Sequence, residues 1–181
     1  MVYVSKLKLT NLQQGILRLL FIKAGTSLNQ RTISKILGVS QPAVRKALPK
    51  LEKEELINIS QDKESKRWSI GLNRTQKVIH LKRVDNLNMI YESGLVDFLE
   101  KKFAGAVITL FGSYSRGEDI FNSDIDLAVI GRKEKQIDLT KYEKGFEKKI
   151  RINFFPSFRK IHRHLKENIL NGIILTGGIE L

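Results

Sequence analysis

From Leu12 onward the apolar residues Leu12, Ile16, Leu19 and Leu20 recur at helical spacing and stop before Gly25, which predicts a first helix. Asn29 offers a side-chain cap for a second helix carrying Ile33, Ile36 and Leu37, and Gly38 ends it. Ser40 caps a third helix. In it Val44, Ala47, Leu48 and Leu51 form one apolar face and leave Gln41, Arg45, Lys46 and Lys50 on the other. Pro49 has no amide proton and crowds the carbonyl of Arg45, so a bend is expected there. Leu56-Ile57-Asn58-Ile59 and Arg67-Trp68-Ser69-Ile70 read as two strands flanking a polar tip.

Past Gly71-Leu72-Asn73-Arg74 the pattern returns to helix, over Val78 to Tyr91 and Leu95 to Phe103, with Ser93-Gly94 between them. Their apolar residues, Leu81, Val84, Leu87, Ile90, Leu95, Val96 and Leu99 among them, are too many for a bare linker. These helices are expected to pack on a domain or on a second subunit, and no heptad persists long enough for a coiled coil. Val107 to Phe111 is an apolar, β-branched run that reads as a buried strand, followed by strands over Ser123 to Gly131 and Lys149 to Phe155. The pattern makes an α+β protein with an N-terminal domain over 1–74, a helical connection or dimerisation region over 75–103 and a C-terminal domain over 104–181.

Chemistry concentrates where the first of those C-terminal strands ends. Gly112-Ser113 is followed by ten residues and then Asp124-Ile125-Asp126. Gly112 permits close approach of a phosphate to the backbone, Ser113 supplies a hydroxyl, and the amides opening the next helix point the same way. Side chains two apart on a strand share a face, which sets the two carboxylates about 6 to 7 Å apart at their bases, suited to magnesium with substrate phosphates completing its shell.

The segment Leu110 to Val129 resembles the minimal nucleotidyltransferases of the DNA polymerase β superfamily, whose pattern is Gly-Ser, ten residues, Asp-x-Asp. Arg116-Gly117-Glu118 is similar to the family's usual continuation. The resemblance implies a mixed sheet flanked by helices, with Gly112, Ser113 and Arg116 holding ATP or another nucleoside triphosphate and Asp124 and Asp126 binding magnesium. It also implies a third carboxylate on a later strand, where alternation along Lys149 to Phe155 puts Asn153. An asparagine brings no charge and cannot act as a base, a loss that costs about 10²- to 10⁴-fold in rate.

Charge then separates two tasks. The chain carries a formal net charge of +13. Residues 1–74 hold 14 Lys or Arg against 5 Asp or Glu, whereas residues 104–181 hold 13 against 10. A polyanion partner is expected for the N-terminal part. The stretch Asn11 to Asn73 resembles a winged helix-turn-helix, a fold whose recognition helix enters the major groove of duplex DNA. Gln41, Arg45 and Lys46 are the expected base readers, Ser40 and Lys50 belong to the same face, and Lys63, Lys66 and Arg67 are expected to touch phosphate from the wing.

Trp68 is expected in the core and Gly177-Gly178 in a turn. His162 and His164, two apart on a helix, are expected on a solvated basic face. The absence of cysteine excludes a disulfide framework, and no apolar run is long enough to span a bilayer or to form a signal peptide at the N-terminus, so a cytoplasmic protein without membrane contact is expected. Two readings follow. In the first, the chain is similar to archaeal regulators of this composite type: a homodimer on DNA whose second domain binds triphosphate and magnesium and is catalytically weakened. In the second it is an active magnesium-dependent nucleotidyltransferase, autoregulated through the winged helix, like related antitoxins that adenylylate a HEPN-type toxin. An RNA-binding module is a third class.

Overall fold

The computed structural model describes residues 7–61, 63 and 67–178. The chain divides into two compact units, Met1–Val78 and Ile79–Leu181.

In the first unit, α1 (Asn11–Ile22) opens with a reciprocal capping box between Thr10 and Gln13. α2 (Gln30–Leu37) starts where the Asn29 side chain accepts from the Thr32 amide at 2.8 Å and stops at Gly38, whose φ of 65° is the left-handed conformation that glycine adopts without penalty. Ser40 caps α3 (Gln41–Lys53), accepting from the Ala43 amide. The helix is continuous through Pro49, which is exposed. β1 (Ile57–Gln61) and β2 (Trp68–Leu72) pair antiparallel, and Leu28 bridges to Ile70 on the other side of β2. Ile16, Leu20, Ile33, Val44, Leu51, Leu56 and Ile70 are buried together as the core that the helical periodicity anticipates. Trp68 is a correction: it is 43% exposed at the edge of the wing, because the two-stranded ribbon leaves one face to water.

The second unit is a four-stranded mixed sheet in the order β5-β4-β3-β6. β3 (Val107–Phe111) runs antiparallel to β4 (Ile125–Ile130) and to β6 (Ile173–Thr176), while β4 and β5 (Ile150–Phe155) are parallel. Ile108, Leu110, Ile125, Leu127, Val129 and Ile150 share one core with Ile90 from α4 (Gln76–Glu92) and with Leu95, Leu99 and Phe103 from α5 (Leu95–Lys102) and the residue after it. Phe111, Ala128 and Ile130 share the other with Phe158, Ile161 and Ile169. A strand covered on both faces carries apolar residues at consecutive positions, which is why β4 reads as a continuous run after Asp126. The helices predicted as a connection thus supply core of the C-terminal unit. α6 (Gly112–Arg116), α7 (Thr140–Phe146) and α8 (Arg163–Leu170) complete it. Because α8 begins at Arg163, His162 lies outside it, and the two exposed imidazoles approach to 5.8 Å between centroids, closer than the helical spacing implied. Gly177 turns the chain after β6 with φ at 81°.

Candidate functional site

Two sets of residues compose the candidate sites, one in each unit. On α3 the apolar residues Val44, Ala47, Leu48 and Leu51 are buried, and this anchors the helix so that Gln41, Arg45 and Lys46 project into solvent. Ser40 spends its hydroxyl on the cap. Lys50, also exposed, donates through Nζ to the Lys8 carbonyl and so ties down the segment before α1. Lys63 and Arg67 are exposed beside the wing strands; Lys66 lies outside the described residues.

In the C-terminal unit the antiparallel register sets Phe111 opposite Asp126, so Gly112 arrives directly beside the carboxylates. Gly112 has φ of 76°, which favours glycine, and a Cβ placed on it would stand 2.5 Å from Asp126 Oδ2, so that carboxylate would have to shift to admit a side chain. Ser113 is partly exposed in the same turn, with Glu118 N donating to its carbonyl at 3.0 Å. Arg116 Nε donates to Glu118 Oε2 at 2.7 Å, which holds this guanidinium near the loop that leaves α6.

The parallel register of β4 and β5 decides what stands next to the aspartates. Asp126 is opposite Arg151, and Ala128 is opposite Asn153. Arg151 Nε lies 2.7 Å from Asp124 Oδ2 in an ion pair whose arginine side chain is 71% exposed. Asn153 sits one step further along the same face and donates to the Leu127 carbonyl at 3.5 Å, a long contact within the sheet. The β5 residue beside the carboxylates is therefore Arg151, which the alternation pattern alone did not single out, and β5 contains no carboxylate. Burial raises the Asp126 carboxyl above its ordinary value, the adjacent Asp124 raises it further, and Arg151 opposes both.

Whether magnesium fits follows from this donor set. The metal takes hard oxygen ligands and keeps near-octahedral geometry, and a neighbouring cation opposes it. Here one of the two carboxylates is engaged by a guanidinium, and among the described residues no group of three or more acidic, histidine or cysteine side chains is gathered. The guanidinium on Asp124 competes with any ion at these two carboxylates, which makes the set less suited to the magnesium that the Asp-x-Asp spacing anticipated.

A second charged cluster escaped the sequence reading. Asp119, buried, accepts at Oδ1 from Lys82 Nζ and from Asn86 Nδ2 at 2.7 Å, and Lys148 Nζ stands 3.1 Å from Oδ2. Lys148 also donates to the Ile120 carbonyl at 2.6 Å, and Asn86 to the Tyr114 carbonyl at 2.9 Å. Together they hold the loop between α6 and β4. Burial lowers the Lys82 ammonium below its ordinary value, with Asp119 opposing. The signal was present in α4: Val78, Lys82, Asn86 and Ile90 recur every fourth residue and all are buried, so two polar groups interrupt an inward stripe.

Residues 9–68 match the model of the MarR family, and residues 92–176 match that of the nucleotidyltransferase domain. No curated protein matches the chain. Among solved structures, a point mutant of ZitR from Lactococcus lactis is 28% identical over 57% of this chain and 68% of its own, with a TM-score of 0.43. The adhesin competence repressor AdcR from Streptococcus pyogenes is 26% identical over 55% and 70%, with a TM-score of 0.44. The chain joins an N-terminal segment that matches the MarR family model to a C-terminal segment that matches the nucleotidyltransferase domain model.

Proposed function

We propose that this protein is a transcriptional regulator that reads duplex DNA with α3 and binds a nucleoside triphosphate in its C-terminal domain, with occupancy there biasing DNA affinity. The observation that carries the DNA half is the division of α3 into a buried apolar face and an exposed face of Gln41, Arg45 and Lys46. Arg pairs bidentately with guanine and Gln with adenine in the major groove, and Lys63 and Arg67 supply phosphate contacts from the wing. A homodimer would set two such helices on a pseudo-palindrome. Shift titration of genomic fragments tests it. A specific site bound at least about 10³-fold tighter than random duplex is expected, and equal binding to every fragment defeats it.

The triphosphate half is supported by Gly112, where φ favours glycine and a side chain would displace the Asp126 carboxylate, next to Ser113 in the same turn. Coupling is supported by chain continuity: α4 starts at Gln76, soon after β2 ends at Leu72, and carries the Lys82 and Asn86 that hold the loop after α6.

The second reading, an active transferase with a protein acceptor such as a HEPN-type toxin, is favoured by the adjacency of Gly112 to Asp126. Incubation with labelled triphosphates and magnesium separates the two. Label incorporated by the wild type and lost in Asp124→Ala plus Asp126→Ala would establish the enzyme.

A further inference from the structure

We propose that Arg151 replaces the metal of this site, so that a guanidinium, in place of a divalent cation, meets the phosphates of the bound nucleotide. The proposal rests on the reading of the C-terminal domain as a triphosphate-binding one. Its first support is backbone register. Arg151 is the β5 partner of Asp126, so its location beside the carboxylates follows from strand pairing and not from one rotamer. Its second is the ion pair itself. Nε engages Asp124 Oδ2 at 2.7 Å, and a guanidinium has five N–H donors in a planar fork, so most of its donors are available to a second anion. With 71% of the side chain exposed, a phosphate can reach them from solvent.

Charge makes the same point. Two aspartates and a third carboxylate would sum to three negative charges, a site that needs dications to approach a triphosphate. Asp124, Asp126 and Arg151 sum to a single negative charge, and Arg151 puts its positive charge against Asp124, a carboxylate that a metal would need. Arg–phosphate pairs are frequently bidentate and charge-assisted, which suits this role, whereas a dication would have to displace the guanidinium from Asp124. With no carboxylate on β5, nothing on that strand can accept a proton from an attacking hydroxyl. The domain is thereby better built to hold a triphosphate than to transfer it.

The test is a pair of titrations on the full chain, with thermal melts to show that each variant is folded. Manganese(II) alone is titrated first, followed by its electron paramagnetic resonance signal. Arg151→Asp should bind the ion at least about tenfold more tightly than the wild type, since ligand charge sets affinity at oxygen sites. A wild type that binds manganese as tightly as the variant overturns the proposal. ATP, GTP, CTP and UTP are then titrated calorimetrically in EDTA and again in magnesium. One of them should bind the wild type in EDTA, with Arg151→Gln weakening it about tenfold or more through loss of the charge-assisted pair. Lys149→Gln, which removes an equal charge from the exposed lysine before β5, should change it less than about twofold because that charge is screened. Binding that appears only with magnesium overturns the proposal. Failure of all four nucleotides in both conditions refutes triphosphate binding itself, whereas the manganese titration decides the replacement of the metal independently.

Discussion

Asp119 and Asp124 lie on one loop, five residues apart, and each is paired with a cation, yet they are different kinds of ion pair. Asp119 is out of water, with two lysines and an asparagine around it. Asp124 is partly exposed, with one arginine that is itself mostly in solvent. Desolvation separates them. A buried charge stripped of a partner has no water to replace it, so the inner cluster is committed to holding the loop; the outer pair exchanges partners at little cost and is open to a ligand.

Asp119→Ala leaves two ammonium groups buried near one another and should cost about 3 to 5 kcal/mol in urea unfolding. A loss below about 1 kcal/mol would mean that water reaches the cluster after all. Gly112→Ala forces a side chain into a left-handed backbone position and against Asp126, for about 1 to 3 kcal/mol. Asp126 contributes the other way. Its carboxyl is raised in the folded state from an ordinary 3.8, so the folded protein holds more protons than the unfolded one between that pH and the raised value. The favourable contribution of the protonated group is present below that window and lost as pH rises through it. Asp126→Asn should remove this decline, seen as a flatter dependence of Tm on pH across the window. Arg151→Gln comes last, with stability within about 0.5 kcal/mol of wild type by the same unfolding measurement, despite its expected effect on nucleotide binding.

Legibility in the sequence follows the range of the interaction. Asn29, Gly38 and Ser40 act within a turn of their own helices, and so α2 and α3 and the exposed residues of α3 were readable before any coordinates. Gly112-Ser113 and Asp124-Ile125-Asp126 were readable as a spaced motif, and the apolar runs gave β3, β4 and β5 nearly to the residue. The choice between Asn153 and Arg151 was not. Both point to the same face of β5, since they are two apart, and only the pairing of Ile125 with Ile150 decides which of them meets Asp126. Trp68 misled because an aromatic in a strand is usually covered, and here the wing ribbon has an open face. Lys82 and Asn86 were hidden by their type, since polar residues on a helix normally face water; their partner Asp119 lies more than thirty positions away. β6 is a four-residue strand at the sheet edge, too short to announce itself.

The proposed regulator reads DNA through α3 and senses a triphosphate through a site in which an arginine stands for a metal. A DNA titration in EDTA, with and without the nucleotide that calorimetry identifies, tests it most directly. The nucleotide should shift the midpoint for the specific fragment by about fivefold or more in the absence of any divalent ion, and Arg151→Gln should abolish the shift while binding the DNA as the wild type does without nucleotide. An unchanged midpoint in EDTA, with a shift that appears only when magnesium is restored, would contradict it.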